Sequence, residues 1–104
     1  MITDKQFEDS FTAAGGWFIL TQFETIYNWN GSKAELIDEL FQKGFDAKRT
    51  GTTTRVSSII RIIESNRGKE ALIKIRDSKL INRKHPEAEN IASMLLEKYY
   101  PSNI

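Results

Sequence analysis

The chain has 104 residues with 15 Lys and Arg, 14 Asp and Glu, one His and no Cys. This length suits one domain of ordinary size, so we predict a single domain over residues 1–104. The absence of Cys excludes disulfides, thiolate catalysis and Cys-containing metal sites, and no apolar run approaches the roughly 18 residues of a membrane span. With no signal-peptide pattern at its start, the sequence indicates a cytoplasmic protein without metal or membrane contact.

The first half of the chain carries strong helical start and stop signals. Thr3 begins a capping-box pattern, and a Gly-Gly pair ends the helix that follows. The apolar spacing over residues 17–29 favours a second, largely buried helix over a strand. Ser32 begins a third helix with a similar cap, and Gly44 is placed to end it in a left-handed conformation.

The second half continues the helical pattern after a polar loop predicted over residues 46–51. One of the three consecutive threonines that follow is expected to cap a helix with its apolar arc at positions 56, 59, 60 and 63. A further helix is predicted over about residues 69–78, a connection over 82–85 and a last helix from Pro86. The fold class is therefore all-α, a compact bundle of five to six short helices in a single domain.

The overall charge of +1 hides a strong asymmetry along the chain. Residues 1–47 carry 3 basic and 8 acidic side chains, whereas residues 48–84 carry 11 basic and 3 acidic ones and have a net charge of +8. Residues 85–104 have a net charge of −2. We call residues 48–84 the basic segment. It either forms a surface for an anionic partner or packs against the acidic parts of the chain, and the sequence leaves both possibilities open.

The strongest functional candidate is the stretch where the basic segment leads into its first predicted helix. Its hydroxyl and glycine positions precede a helix start, where unbonded backbone N–H groups and the positive end of the helix dipole attract anions. The predicted phosphate-binding residues are Lys48, Arg49, Thr52, Thr53, Thr54, Arg55 and Arg61. A well-capped helix with a solvated loop explains the same pattern without a ligand, and both interpretations stay open.

Residues suited to enzymatic chemistry are scarce. His85 is the one imidazole in the chain, and its place before Pro86 is typical of a helix cap or a solvent-facing side chain. Neighbouring carboxylates such as Asp38 and Glu39 point away from each other on a helix and are typical of a solvated surface. We therefore predict no catalytic residues, no cofactor and no enzymatic activity.

Part of the chain resembles a known nucleic-acid-binding unit in its spacing. Glu35-Leu36, Leu40, Gly44-Phe45, Gly51 and the helix over 55–63 resemble the helix-extended loop-helix pattern of the SAP motif. The resemblance covers at most residues 35–63 and implies contacts with nucleic acid. The chain departs from that pattern in a longer loop and in having Thr52 where a basic residue follows the loop glycine, so we do not assign it to this family.

The basic segment supports two functional hypotheses. In the first, the protein is a small regulatory, non-enzymatic module that binds the backbone phosphates of DNA or RNA, mainly by electrostatics. In the second, it is a protein-interaction domain, such as a homodimer, in which the acidic first 47 residues of one chain meet the basic segment of another. The near-balance of total charge favours the second, since nucleic-acid-binding domains are usually more basic than a pI of 8.0.

Overall fold

A computed structural model describes residues 2–101, and within this range it contains seven α-helices and no strands. The all-α prediction is confirmed, although the helices outnumber the five to six that were expected. In chain order the helices are α1 (Asp4–Ala14), α2 (Gly16–Tyr27), α3 (Lys33–Gln42), α4 (Arg49–Glu64), α5 (Gly68–Arg76), α6 (Lys79–Lys84) and α7 (Ala88–Tyr99). Over the described range, no helix is both long enough and apolar enough to cross a bilayer.

Local sequence signals set the ends of the first three helices. The Thr3 hydroxyl accepts the backbone N–H of Gln6, and the Gln6 side chain accepts the N–H of Thr3, so the predicted capping box is present. Ser32 caps α3 by accepting the N–H of Glu35. Gly44 follows α3 with a φ of 85°, the left-handed conformation that glycine adopts without strain.

The core lies between two groups of packed helices. α4 packs against α1, α2 and α3, while α5 packs against α7, and α2 contacts both groups. The side chains of Phe7, Ile19, Phe23, Leu40 and Leu72 are almost completely buried in this core. α2 is central because apolar residues occur all around it, as the sequence pattern predicted for residues 17–29.

The second half of the chain departs from the prediction in three places. α4 begins at Arg49, so the polar loop ends earlier than position 51, and the buried positions of the helix are Thr52, Val56, Ile59 and Ile62, with positions 60 and 63 only partly buried. The predicted connection over 82–85 is wrong, because α6 runs through Lys84. The last helix begins at Ala88, two residues after Pro86.

Candidate functional site

The start of α4 differs from the predicted anion-binding site. Lys48 is the N-cap residue and makes no side-chain cap, so the three threonines lie inside the helix and the predicted threonine cap is wrong. The hydroxyls of Thr53 and Thr54 donate to backbone carbonyls four residues earlier, at 3.0 and 3.1 Å. Thr52 is completely buried. These three hydroxyls are therefore engaged within the protein.

An acidic side chain of the same chain occupies the first turn of α4. The Asp46 carboxylate accepts the Thr52 hydroxyl at 3.0 Å and the Nε–H of Arg55 at 3.0 Å. It lies so close to Gly51 that a Cβ at that position would be 3.2 Å from it. The Asp46 side chain is only 13% exposed. A phosphate at this place would have to displace a carboxylate that is already held by hydrogen bonds.

Of the remaining predicted residues, one cation forms an ion pair and two do not. Arg49 donates from Nε to the carboxylate of Asp38 at 2.7 Å and from Nη2 to the carbonyl of Ala34 at 3.3 Å. Lys48 and Arg61 are exposed and form no ion pair with any residue from 2 to 101. Their predicted role in phosphate binding stays a prediction.

Across the whole basic segment, five of the eleven cations are bound to carboxylates. Arg49 and Arg55 pair with Asp38 and Asp46, as described above. The other three cations are Arg67, which pairs with both Asp4 and Glu70, Lys74, which pairs with Glu8, and Arg76, which pairs with Asp77. The hydrogen bonds that Arg67 and Arg76 donate to their carboxylate partners raise the pKa values of both guanidinium groups. The acidic first 47 residues thus neutralise part of the basic segment within one molecule.

Six cations of the basic segment remain outside ion pairs in the described part of the chain. All six side chains are exposed: Lys48, Arg61, Lys69, Lys79, Arg83 and Lys84. Three of them belong to α6, a helix of six residues. Part of this helix was predicted to be a connection, over residues 82–85, so the sequence did not predict that these three cations share a helix.

α6 is held in place by polar contacts at its start. The Ser78 hydroxyl accepts the backbone N–H of Ile81 and caps the helix. The side-chain amide of Asn82 donates to the carbonyls of Ile75, Arg76 and Ser78, at 3.2, 3.1 and 2.7 Å. These bonds connect α6 to the end of α5. The cations of α6 therefore extend from a fixed turn of the chain.

An open groove lies between the α1–α2 junction, the α3–α4 connection and α6. Its volume is about 380 Å³, at the small end of the range of small-molecule sites. Among its lining residues, the rings of Trp17 and His85 stack with centroids 3.7 Å apart and an interplanar angle of 5°. Phe45, which is 41% exposed, and Phe18 also line it, and their rings are nearly perpendicular with centroids 5.1 Å apart. We call this the aromatic groove.

All the charged groups lining the aromatic groove belong to residue types that carry positive charge. Arg55 and Lys84 contribute to its surface, and no carboxylate among residues 2–101 does. The guanidinium of Arg55 is fixed, because Nε donates to Asp46 and Nη1 donates to the carbonyl of Ala14. Its Nη2 makes no hydrogen bond to any described residue, and the side chain is 33% exposed.

Glycine makes the approach of α6 to this groove possible. A Cβ on Gly16 would collide with the side chain of Ile81, so only glycine fits there without displacement. The Gly-Gly pair forms the predicted turn between α1 and α2. His85 does lie at a helix cap, but it is the C-cap residue of α6 and not the start of the last helix, and its ring is partly buried against Trp17. Comparisons of the chain with known protein families, curated proteins and solved structures find no match.

Proposed function

We propose that the protein is a small, cytoplasmic, non-enzymatic module that binds the backbone phosphates of DNA or RNA through its basic segment. The observation that carries this proposal is the set of six exposed cations outside ion pairs in the described chain, three of them on α6. Exposed cations attract a polyanion and release its condensed counterions, which gives affinity with little sequence preference.

The positions of the ion pairs favour this function over a homodimer built on opposite charges. Asp4, Glu8, Asp38 and Asp46 all belong to the acidic first 47 residues, and each already contacts a cation of the basic segment in the same chain. A second copy would have to compete with these contacts. The exposed cations of α6 face no such competition within the described residues.

The proposal is tested by fluorescence anisotropy with labelled single-stranded and double-stranded oligonucleotides at about 50 and 200 mM salt. The double variant Lys79→Gln/Lys84→Gln removes two cations of α6. The matched control Lys33→Gln/Lys43→Gln removes two exposed lysines from the acidic first 47 residues. These lysines form no ion pair with described residues and do not line the aromatic groove. Both variants change the net charge by the same amount.

We expect the α6 double variant to bind more weakly and to reduce the slope of log affinity against log salt by about 2, one for each lost phosphate contact. The control should keep the slope of the parent chain. Equal losses in the two variants would show that only net charge matters and would refute the α6 surface. If no oligonucleotide binds at either salt concentration and light scattering shows a salt-sensitive dimer, the protein-interaction hypothesis replaces this proposal.

A further inference from the structure

We infer that the aromatic groove binds an unpaired nucleotide, with the base among its aromatic rings and the phosphate at Lys84 and Arg55. This inference rests on the proposed function and narrows it, because it makes single-stranded nucleic acid the preferred ligand over a duplex. A base that is paired and stacked inside a duplex cannot enter a groove of this size, whereas a base in a single strand can turn outward.

The first argument is the chemistry of the walls. Trp17, His85 and Phe45 line a space of about 380 Å³, with the rings of Trp17 and His85 stacked on each other. Bases of every sequence have a π-face, so aromatic walls hold them without reading their hydrogen-bonding edges. The side chain of Leu80, 61% exposed beside the groove, adds apolar surface that a bound base would cover.

The second argument is charge. A nucleotide combines a flat ring with an anion, and the charged residues of the groove are Arg55 and Lys84, without a carboxylate among the described lining residues. Lys84 is exposed and outside any ion pair in the described chain. Arg55 differs, since Asp46 balances its charge while leaving Nη2 available as a donor in a fixed orientation. A phosphate would thus meet one mobile cation and one preoriented hydrogen-bond donor.

The third argument is position. Lys84 belongs to the cations of α6 and also lines the groove, so the proposed phosphate-binding surface and the groove share this residue. The surface that the proposed function uses and the groove therefore form one continuous site. A duplex lying on the same cations would leave the groove empty, which makes the two binding modes separable by experiment.

The two tryptophans of the chain provide matched reporters. In Trp29→Phe the remaining tryptophan, Trp17, lines the groove, whereas in Trp17→Phe the remaining Trp29 does not. Each variant is titrated with four probes. They are oligo-dT of about 12 nucleotides, an abasic strand with the same number of phosphates, a duplex of the same length and thymidine monophosphate.

We expect oligo-dT to quench Trp17 in Trp29→Phe and to leave Trp29 unchanged in Trp17→Phe, since only Trp17 would contact a base. The abasic strand and the duplex should bind without quenching. Phe45→Ala and His85→Ala, checked for a native circular dichroism spectrum, should lower the affinity for oligo-dT by about 5- to 100-fold and leave duplex affinity unchanged. Phe45 is the safer of the two substitutions because its ring is already 41% exposed.

The results distinguish failure of this inference from failure of the proposed function. If oligo-dT, the abasic strand and the duplex bind equally and none quenches Trp17, phosphate binding stands and the nucleotide site is refuted. If none of the strands binds, the proposed function itself is refuted. Thymidine monophosphate that binds as tightly as oligo-dT would assign the groove to a free nucleotide and overturn its role in strand binding.

Discussion

The two ends of the basic segment have similar charge in the sequence, but they differ in the structure in whether their cations form ion pairs. At the α4 end, Arg49 and Arg55 are held by Asp38 and Asp46 at 2.7 and 3.0 Å. At the α6 end, Lys79, Arg83 and Lys84 form no ion pair with a described residue. The comparison shows that a count of cations along the chain measures charge, whereas binding depends on which cations still lack a partner.

The cause of the difference is the location of acidic residues around each end. α3 packs beside α4, and the loop between them carries Asp46, so carboxylates meet the first turns of α4. α6 follows Asp77, which is already bound to Arg76, and no carboxylate lies within the helix itself. Neighbouring acids therefore give the α4 end a structural role and leave the α6 end available for a ligand.

The largest expected effect comes from removing the carboxylate at the α4 end. Asp46→Ala removes the carboxylate that accepts hydrogen bonds from the buried Thr52 hydroxyl and from Nε of the half-buried Arg55. We therefore expect the free energy of unfolding to fall by about 2–4 kcal/mol. Asp38→Ala is the control, because both partners of the Asp38–Arg49 pair are about half exposed, and it should cost less than about 1 kcal/mol. Urea denaturation of both variants measures the difference, and equal losses would contradict a structural role for Asp46.

A smaller loss is expected from crowding Arg55 at the α1–α2 junction. Gly15 has a φ of 84°, and a Cβ there would lie 3.0 Å from Nη1 of Arg55, so Gly15→Ala should lower stability by about 1–3 kcal/mol. Gly44→Ala is the matched control, since Gly44 has a φ of 85° and open space around the position of a Cβ. Thermal unfolding should show a larger loss for Gly15→Ala. If Gly44→Ala is equally destabilising, backbone strain alone accounts for both.

The third prediction compares one arginine from each end directly. Arg83→Gln should reduce the slope of log affinity against log salt for nucleic acid by about 1, and Arg49→Gln should leave it nearly unchanged, because Arg49 is already paired with Asp38. For the parent chain, six available cations limit the slope on duplex DNA to about −5, whereas eleven would allow about −10. A slope steeper than −5, or equal changes in the two variants, would show that the bound arginines release their carboxylates to contact phosphate.

Sequence reasoning succeeded where the determining contacts are local. The capping contacts of Thr3 and Ser32 span three residues, so their patterns predicted the helix starts correctly. The sum of charges over 48–84 was also available from the sequence. α6 was missed because only Leu80 and Ile81 are apolar in its six residues, too few to show a helical period.

The parts that sequence reasoning missed depend on contacts between distant residues. The bond from Arg55 to the carbonyl of Ala14 joins residues 41 positions apart, and the stack of Trp17 on His85 joins α2 to the connection that follows α6. Nothing in the local pattern shows that these rings meet. Gly16 also leaves room for the side chain of Ile81 on α6, a packing detail that composition and periodicity do not encode.

The smallest expected effect concerns Glu24 and its partner Lys98, an ion pair outside the basic segment. It can be compared with the ion pairs at the α4 end. Glu24 on α2 accepts hydrogen bonds from Lys98 at 2.6 Å and from the Tyr99 hydroxyl at 2.7 Å, joining α2 to α7. These two bonds lower the pKa of the Glu24 carboxyl below its ordinary value. Because the group is ionised more readily in the folded state, its contribution to stability is present above the ordinary pKa of about 4.3.

That contribution is lost as the pH falls through the lowered pKa of folded Glu24, which gives a prediction with a definite sign. Glu24→Gln should be slightly less stable than the parent chain at pH 7, and the difference should shrink towards zero as the pH falls below the lowered pKa of folded Glu24. Urea denaturation across this pH range measures it, with Glu97→Gln on α7 as the control, since Glu97 forms no ion pair within residues 2–101. A constant difference at all pH values would show that the variant has lost the hydrogen bond from Tyr99, and that this loss outweighs the charge of Lys98. A difference that vanishes at low pH would show that a half-exposed pair holds two helices together by charge, the same role that the carboxylates have at the α4 end.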